Sequence, residues 1–124
     1  MRLLLDTHVL LWWLDSPERI ADATTTAIAQ EPAVFVSAAT AWEIAIKRSG
    51  GRLTAPFDVV AEIAREGFQH LPITLEHAVA AGMLDPHHRD PFDRMLVAQA
   101  RLEDMVLVTA DPAISKYDVR VLPA

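Results

Sequence analysis

Short apolar runs alternate along the chain with longer stretches of helical periodicity. Leu3-Leu4-Leu5 is wholly apolar and is ended by Asp6, which predicts a short strand buried on both faces. Val9 to Leu14 reads as helix. Ser16 is then placed to cap a second helix, with Pro17 at its first position, running to about Gln30. Val34-Phe35-Val36 is the next buried strand. Ser37 caps a helix through Trp42, Ile46 and Lys47 that Gly50-Gly51 stops. Past a loop holding Pro56, Asp58 opens a helix with Val59, Ile63 and Phe68 on its apolar positions. His70 to Ile73 reads as strand, Thr74 caps a short helix to about Met83, and Leu84 to Asp90 is polar and turn-rich. Asp90-Pro91 starts a helix carrying Phe92, Met95, Leu96 and Gln99, before strands at Val106-Leu107-Val108 and Val119-Arg120-Val121. Strands alternating with helices predict a three-layer α/β/α sandwich around a mostly parallel sheet with right-handed crossovers.

Composition narrows this picture. At 124 residues and 52% hydrophobic, the chain suits one domain with a core that needs no staples. It has no cysteine, so disulfides, thiolate metal sites and cysteine nucleophiles are all excluded. Met1-Arg2 before leucines invites reading as an export signal. Asp6 and His8 interrupt that run, and Val9 to Leu14 is too short to span a bilayer, so a cytoplasmic location is expected. The net charge of −6 argues against a protein that simply coats nucleic acid. It leaves room for an enzyme whose acids surround a cation.

Ligands of open parallel sheets bind beyond the carboxyl ends of the strands. Asp6 ends the first strand, and Asp111 follows Val108 by three residues. Glu43 and Asp93 fall within the first turns of helices that leave the same edge. Two carboxylates about 4 Å apart repel by roughly 4 kcal/mol at an effective dielectric near 20, so such a cluster must take up protons or hold cations. Oxygen ligands alone favour Mg²⁺ or Mn²⁺, ions that activate water and polarise phosphodiesters.

Each acid also has a structural role open to it. Asp6 suits a helix cap, Glu43 an ion pair with Lys47 one turn on, and Asp111-Pro112 the start of a short helical turn. Asp90 before Pro91 is read as a cap, with Asp93 at the positive end of the same helix. Asp6 and Glu43 are set in strongly apolar sequence, where an acid needs a partner.

Four segments together resemble the PIN domain, and specifically the VapC-type toxins of bacterial toxin–antitoxin pairs. They are Leu3-Leu4-Leu5-Asp6-Thr7-His8-Val9-Leu10-Leu11-Trp12, Ser37-Ala38-Ala39-Thr40-Ala41-Trp42-Glu43-Ile44, the run from Asp90 to Ala100 that reads DPFDRMLVAQA, and Leu107-Val108-Thr109-Ala110-Asp111. The resemblance implies a single PIN-like nuclease domain over residues 1–124, acting as a Mg²⁺- or Mn²⁺-dependent endoribonuclease on RNA. It places Asp6, Glu43, Asp93 and Asp111 at the family's acidic positions, with Asp6 and Asp93 the direct metal ligands. Glu43 and Asp111 then complete the pocket or act through water, and Thr7 and Thr109 orient the carboxylates. It further implies a cognate antitoxin that occludes the site, and toxin homodimers. His8 stands where many relatives carry asparagine.

Other features are weighed beside these. His87-His88 is expected to be a pair of solvated loop residues rather than a transition-metal site. Arg89 and Arg94 flank the acids and suit either an RNA phosphate or a salt bridge. Lys47, Arg48 and Arg52 suit either the negative end of a helix dipole or an RNA track. The tryptophans at 12, 13 and 42 are expected to pack in the core, with one of the adjacent pair facing a partner. Two other functions remain alternatives: a phosphoacceptor receiver domain, and a PIN-like module that binds RNA or protein without cutting. The receiver needs paired acids after the first strand and a lysine after a late one. Asp6 has no acidic neighbour, and Thr109-Ala110-Asp111 offers no lysine.

Overall fold

The computed structural model describes residues 1–54 and 57–124, so the expected loop at Pro56 lies outside the described residues. Its centre is a five-stranded, wholly parallel sheet built from β1 (Leu3–Leu5), β2 (Val34–Ser37), β3 (Gln69–Leu71), β4 (Val106–Thr109) and β5 (Val121–Pro123). The spatial order is β3-β2-β1-β4-β5. The order reverses between β1 and β4, which leaves the crevice where parallel sheets bind ligands.

Strand periodicity divides the core. Leu3, Leu5, Val106 and Val108 face one layer, packing with Val9 and Leu10 of α1 (Thr7–Asp15), Ile28 of α2 (Asp22–Gln30), Ile44 of α3 (Ala38–Ser49) and Val59 and Ile63 of α4 (Val59–Arg65). Leu4 and Leu107 face the other, against Leu96, Val97 and Ala100 of α6 (Pro91–Leu102). The remaining helix, α5 (Leu75–Gly82), packs mainly on α6. The predicted sandwich is therefore the observed architecture.

Local chemistry sets most element ends. Ser37 Oγ accepts the Ala39 amide at 3.0 Å to cap α3. Thr74 and His77 form a reciprocal capping box on α5. Asp90 Oδ1 accepts the amides of Phe92 and Asp93 at 2.8 and 3.1 Å, the capping role read from the sequence.

Three expectations need correction. Ser16 does not cap one long helix: Pro17–Arg19 forms only a 3-10 turn, Ile20 is extended and 3% exposed, and α2 begins at Asp22. Burying Ile20 outweighs continuing the helix. Phe68 lies beyond α4, because Gly67 at φ +74° turns the chain after Arg65. The last strand is shifted to Val121–Pro123. Leu107 pairs with Val121, and Pro123 is tolerated because this is an edge strand.

Candidate metal centre at the carboxyl edge of the sheet

Asp6 leaves β1 directly into α1. Its amide donates to Val108 O at 3.0 Å, carrying the sheet pairing one residue further, and its carboxylate accepts the Val9 amide at 2.8 Å. The carboxyl is thus both a helix cap and 3% exposed at the β1–β4 crevice. Burial raises its pKa, opposed by the Thr109 hydroxyl, the Val9 amide and His8, while the charge of Asp111 raises it further.

Glu43, in the second turn of α3, is 2% exposed. Thr7 donates to its Oε1 at 2.6 Å, and Lys47 donates to its Oε2 at 2.5 Å. Thr7 also lies 3.2 Å from the Thr40 hydroxyl, so the start of α1 is tied to α3 through a buried polar chain. The i,i+4 pair with Lys47 is formed, and it satisfies a carboxylate that burial alone would make costly.

Asp93 sits in the first turn of α6. Burial lifts its pKa to about 7, the neighbouring Asp90 adds to the rise, and the charges of Asp6 and Glu43 add more, while His88 opposes it. Asp111 follows β4 and caps a 3-10 turn over Pro112–Lys116, accepting the Ala113 amide at 2.9 Å. Partial burial pushes its carboxyl upward, but the Ala113 amide and His88 outweigh that and hold it below the ordinary carboxylate value. Charge interactions link Asp93 to Asp6 and Glu43, and Asp6 to Asp111, so the four predicted acids, from four separate regions of the chain, share one electrostatic field. Among the described residues, only Asp93 and Asp111 of these four join a group of three ligand-type atoms within 4.8 Å of one another. Asp93 Oδ1 has no hydrogen-bond partner among the described residues. The rise at Asp6 and Asp93, from burial and from acidic neighbours, is what a hard divalent cation beside them would offset.

One residue of this site was read differently in the sequence. His88 is not a solvated loop histidine: its Nε2 lies 2.8 Å from Asp111 Oδ2 and 3.1 Å from Asp93 Oδ2. These three ligand-type atoms lie within 4.8 Å of one another. His87 points away and meets the Tyr117 ring edge-on, at 5.0 Å between centroids. Periodicity carries no signal for this difference, because 84–90 is irregular and its side-chain directions depend on contacts with Tyr117 and Arg94.

Arg94 forms no salt bridge among the described residues. Its guanidinium donates to the carbonyls of Ala81, Leu84 and His88 at 3.0, 3.0 and 3.3 Å, pinning the α5–α6 loop. Arg48 donates to Phe57 O, and Arg89 and Arg52 are exposed. Trp12 and Trp13 are partly buried against the core. Trp42 is the exposed tryptophan, at 61%, packing edge-on to Phe92 with centroids 5.2 Å apart. A cavity of about 650 Å³ between α5, α6 and the Pro112–Lys116 turn is lined by none of the four acids. No helix among the described residues is long and apolar enough to cross a membrane.

The sequence profile of the PIN domain matches residues 3–120. The chain is 30% identical over 117 residues to ribonuclease VapC22 of Mycobacterium tuberculosis, covering 92% of this chain and 90% of that protein. Among solved structures it resembles a chain of VapBC2 from Rickettsia felis, bound there to a promoter DNA fragment, with TM-score 0.75, 11% identity, and 99% and 98% of the two chains covered. It also resembles a chain of a toxin–antitoxin complex from Klebsiella pneumoniae, with TM-score 0.69, 18% identity, and 97% and 95% covered. At these identities the structural likeness establishes the fold.

Proposed function

The chain belongs to the PIN-domain family, and from that premise we propose that it is a divalent-metal-dependent endoribonuclease, the toxin of a toxin–antitoxin pair. The observation that carries the reading is the charge coupling of Asp93 to Asp6 and Glu43, and of Asp6 to Asp111, with Asp93 lifted to about 7 by burial and by its acidic neighbours. Four acids placed so are costly to the fold without a cation, and their oxygen donors suit Mg²⁺ or Mn²⁺.

Asp6 and Asp93 are assigned as the residues that hold the ion. Both are raised by desolvation, both stand at helix starts, and the charge of Asp6 adds to the rise at Asp93. Glu43 and Asp111 complete the pocket. Their oxygens are already engaged by Thr7, Lys47, Ala113 and His88, which suits orienting water more than direct coordination. A bound divalent ion supplies Lewis-acid polarisation of the phosphodiester and a more acidic attacking water. Thr7 and Lys47 hold Glu43 in place, and Thr109 steadies Asp6 while its hydroxyl accepts the Asp111 amide at 3.0 Å.

The match to a named ribonuclease supports RNA as substrate, and the likeness to chains from toxin–antitoxin complexes supports an antitoxin partner that covers the site. Exposed Leu75, Val79 and Met83 on α5, with Leu102 on α6, offer apolar surface consistent with a homodimer. A cytoplasmic site of action follows from this reading. The test is cleavage of single-stranded RNA with Mg²⁺ or Mn²⁺, its arrest by EDTA, and its loss in Asp6→Asn with the circular dichroism of the wild type. Undiminished cutting by that variant refutes the assignment. RNA bound but never cut, with either metal present, instead identifies a non-catalytic module.

A further inference from the structure

The loop between α5 and α6 holds His88 by more contacts than an exposed turn requires. Its amide donates to Tyr117 Oη at 2.9 Å, and the Tyr117 hydroxyl in turn donates to Asp85 O at 2.8 Å. Its carbonyl accepts from Arg94 Nη1 at 3.3 Å. Its ring is fixed as well, because the Asp90 amide donates to Nδ1 at 3.1 Å. A backbone N–H can only donate, so Nδ1 carries the lone pair and the ring proton resides on Nε2. That N–H is directed at Asp111 Oδ2, 2.8 Å away, with Asp93 Oδ2 at 3.1 Å.

We propose that His88 is a positioning residue for the metal centre: an Nε2–H donor, locked in that tautomer by the Asp90 amide, that sets the orientation of Asp93 and Asp111 without itself being a ligand. The two acids come from different elements, the start of α6 and the turn after β4, and His88 Nε2 reaches both, hydrogen-bonded to Asp111 and 3.1 Å from Asp93 Oδ2. One donor between two carboxylates offsets their repulsion. It hydrogen-bonds Asp111 Oδ2 and lies beside Asp93 Oδ2, leaving Asp93 Oδ1 for the ion. Ligation through Nε2 would require moving the proton to Nδ1, where it would oppose the Asp90 amide. The sequence reading that this histidine is solvated missed the role because Tyr117 and Arg94, which aim it, act through backbone contacts across the fold.

This inference rests on the metal-centre reading, and Mn²⁺ binding separates the two. Wild type, His88→Ala and His88→Gln are titrated with Mn²⁺ by electron paramagnetic resonance, with circular dichroism as the fold control. His88→Ala is expected to weaken Mn²⁺ about 10–100-fold, the usual cost of losing a residue that orients ligands. His88→Gln, whose amide N–H reaches a similar place, recovers most of that loss. For RNA cleavage, kcat falls in His88→Ala with KM little changed. Spin-echo spectra of wild-type protein loaded with Mn²⁺ show no directly coordinated nitrogen. Strong nitrogen coupling makes His88 a ligand and overturns the proposal, as does unchanged Mn²⁺ affinity in His88→Ala. A wild type that binds no Mn²⁺ removes the metal-centre reading and this inference with it. If His88→Ala fails to fold, the wild-type spectrum and the glutamine variant still decide the matter.

Discussion

Replacing Asp93 with asparagine is expected to stabilise the metal-free protein at alkaline pH, although it removes a residue assigned to the site. The folded-state pKa of Asp93 is raised from 3.8 to about 7, chiefly by burial and then by Asp90. Raised above its unfolded value, the group makes the folded state bind the proton more tightly. The stability it contributes is complete below about pH 4 and is lost as pH climbs to about 7. At 1.36 kcal/mol per pH unit this is at most about 4 kcal/mol, and solvent screening at the 18%-exposed side chain reduces it to about 2–3 kcal/mol. Asparagine keeps the shape and carries no charge to repel Asp6 and Glu43. In EDTA at pH 8 the variant should therefore melt roughly 6–12 °C above wild type, with the difference vanishing near pH 4–5. Asp111, held below its ordinary value, acts in the more acidic window and does not mask the effect. Excess Mn²⁺ should reverse the order at pH 8, because binding to the folded state alone stabilises only a protein that still holds the ion. Thermal melts at four pH values, with and without Mn²⁺, test all of this. A variant that melts with or below wild type at pH 8 in EDTA would mean that the acids do not strain one another.

The remaining predictions concern the supports of the site. Lys47→Met leaves the buried Glu43 carboxylate without its cation and should destabilise the fold by about 1–3 kcal/mol in urea, since Lys47 itself is one-third exposed. Arg94→Ala frees the carbonyls of Ala81, Leu84 and His88, and should cost about 1–3 kcal/mol while hastening amide exchange across residues 84–90; unchanged exchange there would show that the loop is held by other contacts. Asp6→Asn should lower RNA cleavage by at least about 100-fold with the fold retained, measured with purified protein in Mn²⁺.

What the sequence determined by itself was everything with a local cause. Three consecutive leucines ended by Asp6 suit a doubly buried strand, and they form one. Ser37, Thr74 and Asp90 have the side chains that cap helices, and each caps one. The four acids stood out because each lies inside a recognisable motif, three of them near element ends, and the alternation of strands and helices dictated a parallel sheet with its crevice at their carboxyl ends. Tertiary structure alone decided what depends on residues far apart in the chain. Ile20 broke the predicted second helix because the core needed it, and β5 took its register from β4. Arg94 found carbonyls of the α5–α6 loop rather than an acidic partner, and His88, indistinguishable in sequence from its neighbour His87, was turned inward by Tyr117, Arg94 and the Asp90 amide. Capping and periodicity are set within a turn or two of chain. The strength and direction of a polar contact between β4, α6 and the loop before it are set only when the sheet order brings them together.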